Sequence, residues 1–600
     1  MDRKNAPESL KWDLTDIYKS HDDFDKDLEI IKEYLPIFEK FKGKLNNPDI
    51  LLKYFKTTTA MNKITHKLYA YQMLNHDVDL NNDLYLEDDE KLTMIGSKIS
   101  KNTAFVEPEL ASLDNEYFEN ILKDEKFKDY DLSIKSLLDQ RKHILSKEQE
   151  EALSVIYSFS SGFDDVMSTM TENDFRFRPV LVNGKKEELT ENTYGKFTDS
   201  RDRSVRTQAY NNLYEVYKQF SKTLAVNYIN FVKLINCDLH LRKYHSTFEM
   251  LQDSKKIPQE LFDNLLKNVN NNLNLEQKYF KLLKTTTKIK DFGFQDVYQS
   301  LAGKLNKKYS IDEQKKIVLN AVAPLGQNYV DMLKIAYENN WIDFCTNANK
   351  KSGGYMLGVY GVHPYVLLND TSDYDSLSTL AHELGHAMHT YYSDKNQPYS
   401  KRKYSTFIAE IASTVNEILL NKYMIKNAKT DEEKLFYIDN YLQQFKGTVF
   451  RQTMFAEFED FAHNKIANEE ILSEKILNTK YTELLKKHFG NIVKIDENII
   501  HEWQRIPHFY SPYYVYNYAT SFISAVYIAN SILENKHDML NNYMEMLKSG
   551  GNDYPTNILS KAGIDLTKDK TFDFAFDDMK KSLTQAEEIL NRLQTKEATL

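Results

Sequence analysis

Cysteine is almost missing from these 600 residues: Cys237 and Cys345 are the only two, too few for a disulfide framework in a chain of this size. That excludes the stapled secreted scaffolds and fits a reducing compartment. Glycine (18) and proline (12) are nearly as scarce, which removes the turn residues that an architecture of many short strands needs and leaves long helices as the default. Nowhere do about 18 uninterrupted apolar residues occur, so no membrane-spanning helix is expected. The first residues, MDRKNAPESLKWDLTDIY, hold no apolar stretch of signal-peptide length, and the expectation is a cytoplasmic protein with no membrane partner. The formal charge of −10 accompanies 28% charged residues and no dense basic stripe, which argues against nucleic acid as a partner.

What is abundant is helical periodicity and aromatic side chains, with 40 Tyr and 33 Phe. Residues 24–42, 50–75, 83–105 and 115–122 repeat their apolar positions every three or four residues, the spacing of amphipathic helices. Ser146 followed by Gln149 is a capping box that opens another helix. Between Phe175 and Leu189 the pattern switches to alternation around Asn183-Gly184, a β-hairpin signal and a candidate domain junction. Residues 1–190 are therefore read as an N-terminal helical domain ending in a hairpin, and 191–600 as a second, mostly helical domain. A long helix from about 199 to 241 opens with Arg201, Arg203 and Arg206, expected to be solvated or ion-paired rather than ligand-binding.

Residues 353–390 concentrate the chemistry. Gly353, Gly354, Gly358 and Gly361 mark tight turns or close backbone approach, and Tyr365–Leu368 reads as a strand that either offers an edge to an extended peptide or merely props up the helix after it. Next comes His382-Glu383-Leu384-Gly385-His386. On a helix over 375–391 the four-residue spacing puts His382 and His386 one turn apart on one face, where two imidazoles can hold one metal ion with Glu383 beside it as a base. An isolated HExxH can arise by chance. Here Leu377, Leu380, Ala381, Leu384 and Met388 also line the opposite face, as a buried helix requires.

A second helix comes after it, Thr406-Phe-Ile-Ala-Glu410-Ile-Ala-Ser-Thr-Val-Asn-Glu417, with two acids on one face of an apolar segment. An isolated buried carboxylate costs several kcal/mol, so both need partners. A catalytic zinc takes three protein ligands and keeps one open position, which makes Glu410 the third ligand and Glu417 its support from behind. His389 is the alternative third ligand. It lies on the same face as His382, but three ligands on one straight helix span about 10 Å, too far for bonds of about 2 Å. Further on, His508-Phe-Tyr510-Ser-Pro-Tyr513-Tyr514-Val-Tyr516-Asn-Tyr518 packs an imidazole and five phenols into eleven residues. This is either an aromatic core helix or, beside a hydrolase site, a source of hydrogen bonds for a developing oxyanion.

Taken with Lys11-Trp-Asp-Leu14, Gly358-Val-Tyr-Gly-Val-His-Pro-Tyr365, Arg451-Gln-Thr-Met-Phe-Ala-Glu-Phe458, Ser549-Gly-Gly551 and Ala562-Gly-Ile-Asp565, these motifs resemble those of oligoendopeptidase F, within the thimet-oligopeptidase-like zinc peptidases. The resemblance runs along most of the chain. It implies a mainly α, zincin-type fold, a helical ellipsoid with a deep substrate channel and a small β-sheet beside the HExxH helix. It also implies one Zn2+ per chain on His382, His386 and Glu410, and hydrolysis of internal bonds of short peptides with Glu383 as general base. Catalytic support is expected from His508, Tyr510, Tyr513 and Tyr516. The competing reading is a peptide-binding protein whose zinc is structural and which cuts nothing.

Overall fold

The computed structural model describes residues 3–157, 159–536 and 538–599. Helices dominate, joined by short connections. The described strands form a two-stranded sheet, β1 (Val180–Val182) with β2 (Lys185–Glu187), and one three-stranded sheet. Among the described residues no helix is long and apolar enough to cross a membrane.

The chain divides into two compact units, each assembled from three separate stretches of sequence. One comprises Met1–Ile144, Lys307–Tyr423 and Ile528–Ile564; the other comprises Leu145–Asn306, Met424–Tyr527 and Asp565–Leu600. This differs from a sequential division at residue 190, and the reason lies in the first unit's core. Buried side chains of the N-terminal helices, from Phe24 and Leu28 to Ile134, form one apolar cluster with Val359, Tyr365 and Leu367 of the segment that precedes the HExxH motif. Trp12 meets Tyr365 edge to face, ring centroids 6.2 Å apart. Alternation in the sequence shows where a segment turns over, but burial decides which distant segments share a core.

Within the first unit the helices His21–Phe38, Pro48–Asp77, Asp83–Thr103 and Asn115–Lys123 stand where the periodicity places them. Asn47 caps the second of these by accepting from the Asp49 and Ile50 N–H groups, with Pro48 at the first helical position. The three-stranded sheet belongs to this unit: β3, Ile342–Cys345; β4, Tyr355–Gly358; and β5, Pro364–Asp370. Its order is β3-β5-β4, with β5 parallel to β3 and antiparallel to β4. The strand foreseen at Tyr365–Leu368 is thus the central one, buried and paired on both sides, and the sheet's edges belong to β3 and β4. Lys350 is buried at the end of this sheet and is fully engaged: its ammonium donates to Asp343 Oδ1 (2.7 Å), the Cys345 carbonyl (2.8 Å) and the Leu368 carbonyl (2.6 Å).

In the second unit, β1 and β2 form the hairpin, with Asn183 and Gly184 both at positive φ as a two-residue turn of that hand demands. The Ser146 capping box is present: Gln149 N–H donates to Ser146 Oγ, and Gln149 Oε1 accepts from the Ser146 N–H. The longest helix of the unit, Arg203–Leu241, begins with Arg203 and Arg206 both bonded to the buried carboxylate of Asp296, so these cations are ion-paired.

Candidate active site

The HExxH segment lies on a helix spanning Tyr374–Asn396, here the motif helix. Asp373 starts it by accepting from the Ser376 N–H. Leu377, Leu380, Ala381, Leu384 and Met388 are fully buried, which anchors one side of the helix and turns His382 and His386 to the other. The helix Thr406–Asn427, here the ligand helix, lies against it and carries Glu410. Two features of the contact are specific. Asn416 donates to the Ala381 carbonyl (3.0 Å) and accepts from Tyr329. Gly385 meets the ligand helix backbone to backbone: a Cβ there would stand 2.5 Å from the Ala412 carbonyl oxygen. Glycine in mid-helix forgoes about 1 kcal/mol relative to alanine, so its presence needs such a packing reason.

His382 Nε2, His386 Nε2 and a Glu410 carboxylate oxygen converge into a near-equilateral triangle with sides of 3.2, 3.3 and 3.5 Å. Around an ion with bonds of about 2.0–2.1 Å, the corners of a tetrahedron lie about 3.3 Å apart. The triangle therefore fits a zinc-sized ion with one corner left for water or substrate. These three residues are the one metal-competent group among the described residues.

Two of the three ligands are also held from behind. His382 Nδ1 bonds to Glu417, which fixes the ring and leaves Nε2 to face the triangle. Ser413 Oγ donates to the Glu410 carboxylate (3.2 Å). Burial works to raise the Glu410 pKa, but the hydrogen bond and charge of His386 and the charge of His382 outweigh it and hold the carboxyl at about 2. His382 shows the reverse: burial lowers its pKa, while Glu417 pushes it up to about 9. Glu383 is buried next to the two histidines, and burial raises its pKa.

His389 is not part of the triangle. Its ring is fully buried and stacks on Tyr404 at 3.7 Å, the two planes nearly parallel, a turn beyond His386. The α-helix runs unbroken from Tyr374 to Asn396, so the seventh position after His382 has moved too far along the axis to share an ion.

The aromatic cluster of the second unit sorts its phenols by burial. Tyr513 sits at φ 53° and is tied down twice, its N–H to Glu459 (2.9 Å) and its hydroxyl to Asp460 (2.8 Å). Tyr516 is fully buried and donates to Gln252 (3.2 Å). Both hydroxyls, expected from the sequence to serve substrate, bond to partners within the unit's own interior. Tyr510 is partly exposed and accepts from Asn227 (2.9 Å). His508, Tyr514 and Tyr518 form the accessible part: Tyr514 is 37% exposed, and the Tyr518 hydroxyl lies 3.5 Å from His508 Nε2. The residues singled out from sequence for catalysis omit Tyr514 and Tyr518. Tyr514 precedes the helix Tyr516–Leu533, and its ring meets that of Tyr518 edge to face at 5.4 Å, a contact that helical spacing in the sequence does not signal.

Fold and site together define a metallopeptidase of the helical zincin kind. A family model described as peptidase family M3 matches residues 196–578, and one described as oligopeptidase F matches residues 109–177. The chain is 34% identical to oligopeptidase PepF of Bacillus subtilis (strain 168), covering 99% of this chain and 89% of that one. It is 32% identical to a plasmid oligoendopeptidase F of Lactococcus lactis subsp. cremoris, covering 98% and 99%. Among solved structures, oligoendopeptidase-F from Enterococcus faecium superposes with a TM-score of 0.75 at 30% identity, covering 95% of this chain and 99% of that one. A Chlamydophila abortus protein gives a TM-score of 0.92 at 31% identity, covering 98% and 99%. The chain belongs to peptidase family M3, in its oligoendopeptidase F group, and is a metalloendopeptidase acting on oligopeptides.

Proposed function

We propose that the metal is zinc, one ion per chain, held by His382, His386 and Glu410, and that the enzyme hydrolyses internal bonds of short peptides with Glu383 as general base. The observation that carries this reading is the ligand triangle, whose sides match the edges of a tetrahedral zinc site. A bound zinc supplies Lewis acidity, lowering the pKa of a water and polarising a carbonyl. Glu383 takes the proton of the attacking water and passes it to the leaving amine, a role suited to a carboxyl whose pKa burial has raised. Glu417 keeps the His382 ring in one tautomer, and Ser413 keeps the Glu410 carboxylate from rotating away. Among the aromatic residues of the second unit, the accessible ones, His508, Tyr514 and Tyr518, are the candidates for hydrogen bonding to substrate.

A structural zinc takes four protein ligands and needs no base beside it, whereas three ligands, an open corner and Glu383 suit catalysis, so the non-catalytic reading is not favoured. Incubating the purified protein with a mixed pool of short peptides, with and without chelator, tests the proposal. Internal cleavage that stops on chelation and returns with Zn2+ is the expected result; chelator-insensitive cleavage would defeat it.

A further inference from the structure

We propose that Gly385 is a positioning residue for the metal centre: by letting the motif helix and the ligand helix meet backbone to backbone, it sets the size of the triangle formed by His382, His386 and Glu410. The inference rests on reading that triangle as the zinc site. Gly385 adjoins His386, and Ala412 and Ser413 come two and three residues after Glu410, so the contact lies within the same helical turns as the ligands. A Cβ on residue 385 would stand 2.5 Å from the Ala412 carbonyl oxygen, 2.5 Å from Ser413 Cα and 2.7 Å from Ser413 N. All three are backbone atoms, which cannot swing aside as a side chain can.

The ligand side chains have little freedom to compensate. Glu417 holds His382, and Ser413 holds Glu410. What remains adjustable is the separation of the two helices. Restoring normal van der Waals distance to an added methyl would part them by roughly 1 Å, several times the tolerance of about 0.2 Å on a metal–ligand bond.

The connector between the two helices is fixed in the same manner from its other side, by the Ser549-Gly-Gly551 motif. Gly551 N–H donates to the Lys401 carbonyl (2.7 Å), and a Cβ on Gly551 would stand 2.3 Å from the Lys403 carbonyl oxygen. A Cβ on Gly550 would stand 2.5 Å from Ser393 Oγ of the motif helix. Gly551 thus presses the connector that leads into the ligand helix, and bulk there should displace the start of that helix in turn.

The test is to prepare Gly385→Ala and Gly551→Ala, with Gly447→Ala as a control, since a Cβ at that helical glycine meets nothing within 4 Å. Zn2+ and Cd2+ affinities are measured by competition with a chelator, and the visible absorption of bound Co2+ reports coordination. Gly385→Ala is expected to lose about tenfold to a hundredfold in Zn2+ affinity, to lose less for the larger Cd2+, and to alter the Co2+ spectrum, while Gly447→Ala keeps wild-type values. General destabilisation would weaken both metals alike, so an unchanged Zn2+/Cd2+ ratio in a folded Gly385→Ala protein overturns the proposal. Should Gly385→Ala not fold, Gly551→Ala decides by the same ratio, with a smaller expected shift. Glu410→Ala is run in parallel: wild-type zinc binding in that variant would sink the site assignment itself, a failure distinct from that of the glycine.

Discussion

Removing the Tyr516 hydroxyl should cost stability and leave turnover nearly intact, whereas removing that of Tyr518 should do the opposite. In Tyr516→Phe the ring still fills its buried place, but the Gln252 side-chain oxygen loses a donor at 3.2 Å. A buried acceptor left short of a partner costs about 1–3 kcal/mol, which should appear as a lowered melting temperature with kcat unchanged. Tyr518 lies partly exposed beside His508, and its hydroxyl is a candidate donor to substrate. A donor whose bond strengthens only as charge develops stabilises the transition state, so Tyr518→Phe should lower kcat far more than it changes KM. The expected loss is about 2.7–4 kcal/mol, or roughly a hundred- to thousand-fold in rate. The assay is steady-state hydrolysis of a fluorogenic peptide by zinc-loaded protein, with thermal melts on the same preparations. A hundredfold slower Tyr516→Phe with an unchanged melt, alongside a fully active Tyr518→Phe, would refute the argument from burial.

Three further outcomes are expected. Glu410→Ala should lose most bound zinc while His389→Ala keeps most of it but melts earlier, because His389 only packs against Tyr404; metal analysis of the two dialysed proteins checks the ordering. His463 is fully buried and accepts from Asn236 through Nδ1, and burial holds its pKa at about 3 against an ordinary 6.5. Its contribution to stability is therefore complete above about pH 6.5 and lost as pH falls toward 3, with a ceiling of about 5 kcal/mol. Melts of metal-free wild type and His463→Gln should accordingly converge on acidification, and a constant gap would contradict the assignment. Finally, a stable folded protein should resist cleavage while its short fragments are cut, as digestion before and after fragmentation by another protease would show.

The motif helix was legible because two periodic signals coincide on it: histidines four apart on one face and leucines at helical spacing on the other. Glu410 was legible for an energetic reason, since a carboxylate on an apolar helix needs a partner. The choice between Glu410 and His389 needed only the rise of a helix. Other features were out of reach because they depend on what packs against what. The central place of β5 comes from β3 joining it in parallel, a non-local pairing that alternation within Tyr365–Leu368 cannot reveal. The grouping of the N-terminal helices with the motif segment arises from a shared core that includes Tyr365 and Leu367, not from any linker in the sequence. Tyr516 and Tyr518 differ in the sequence only by position. Gln252, which occupies the hydroxyl of Tyr516, is 264 residues away. Gly385 reads as one more residue of the motif until Ala412 and Ser413 are set against it.

The central claim, that Glu383 performs the chemistry at a zinc it does not itself bind, is tested most directly by Glu383→Gln. Zinc per chain and peptide hydrolysis are measured on the same sample. The account expects one zinc per chain, as in the wild type, with hydrolysis nearly abolished. Loss of stoichiometric zinc would make Glu383 a ligand, and hydrolysis at the wild-type rate would place the base elsewhere; either result would contradict it.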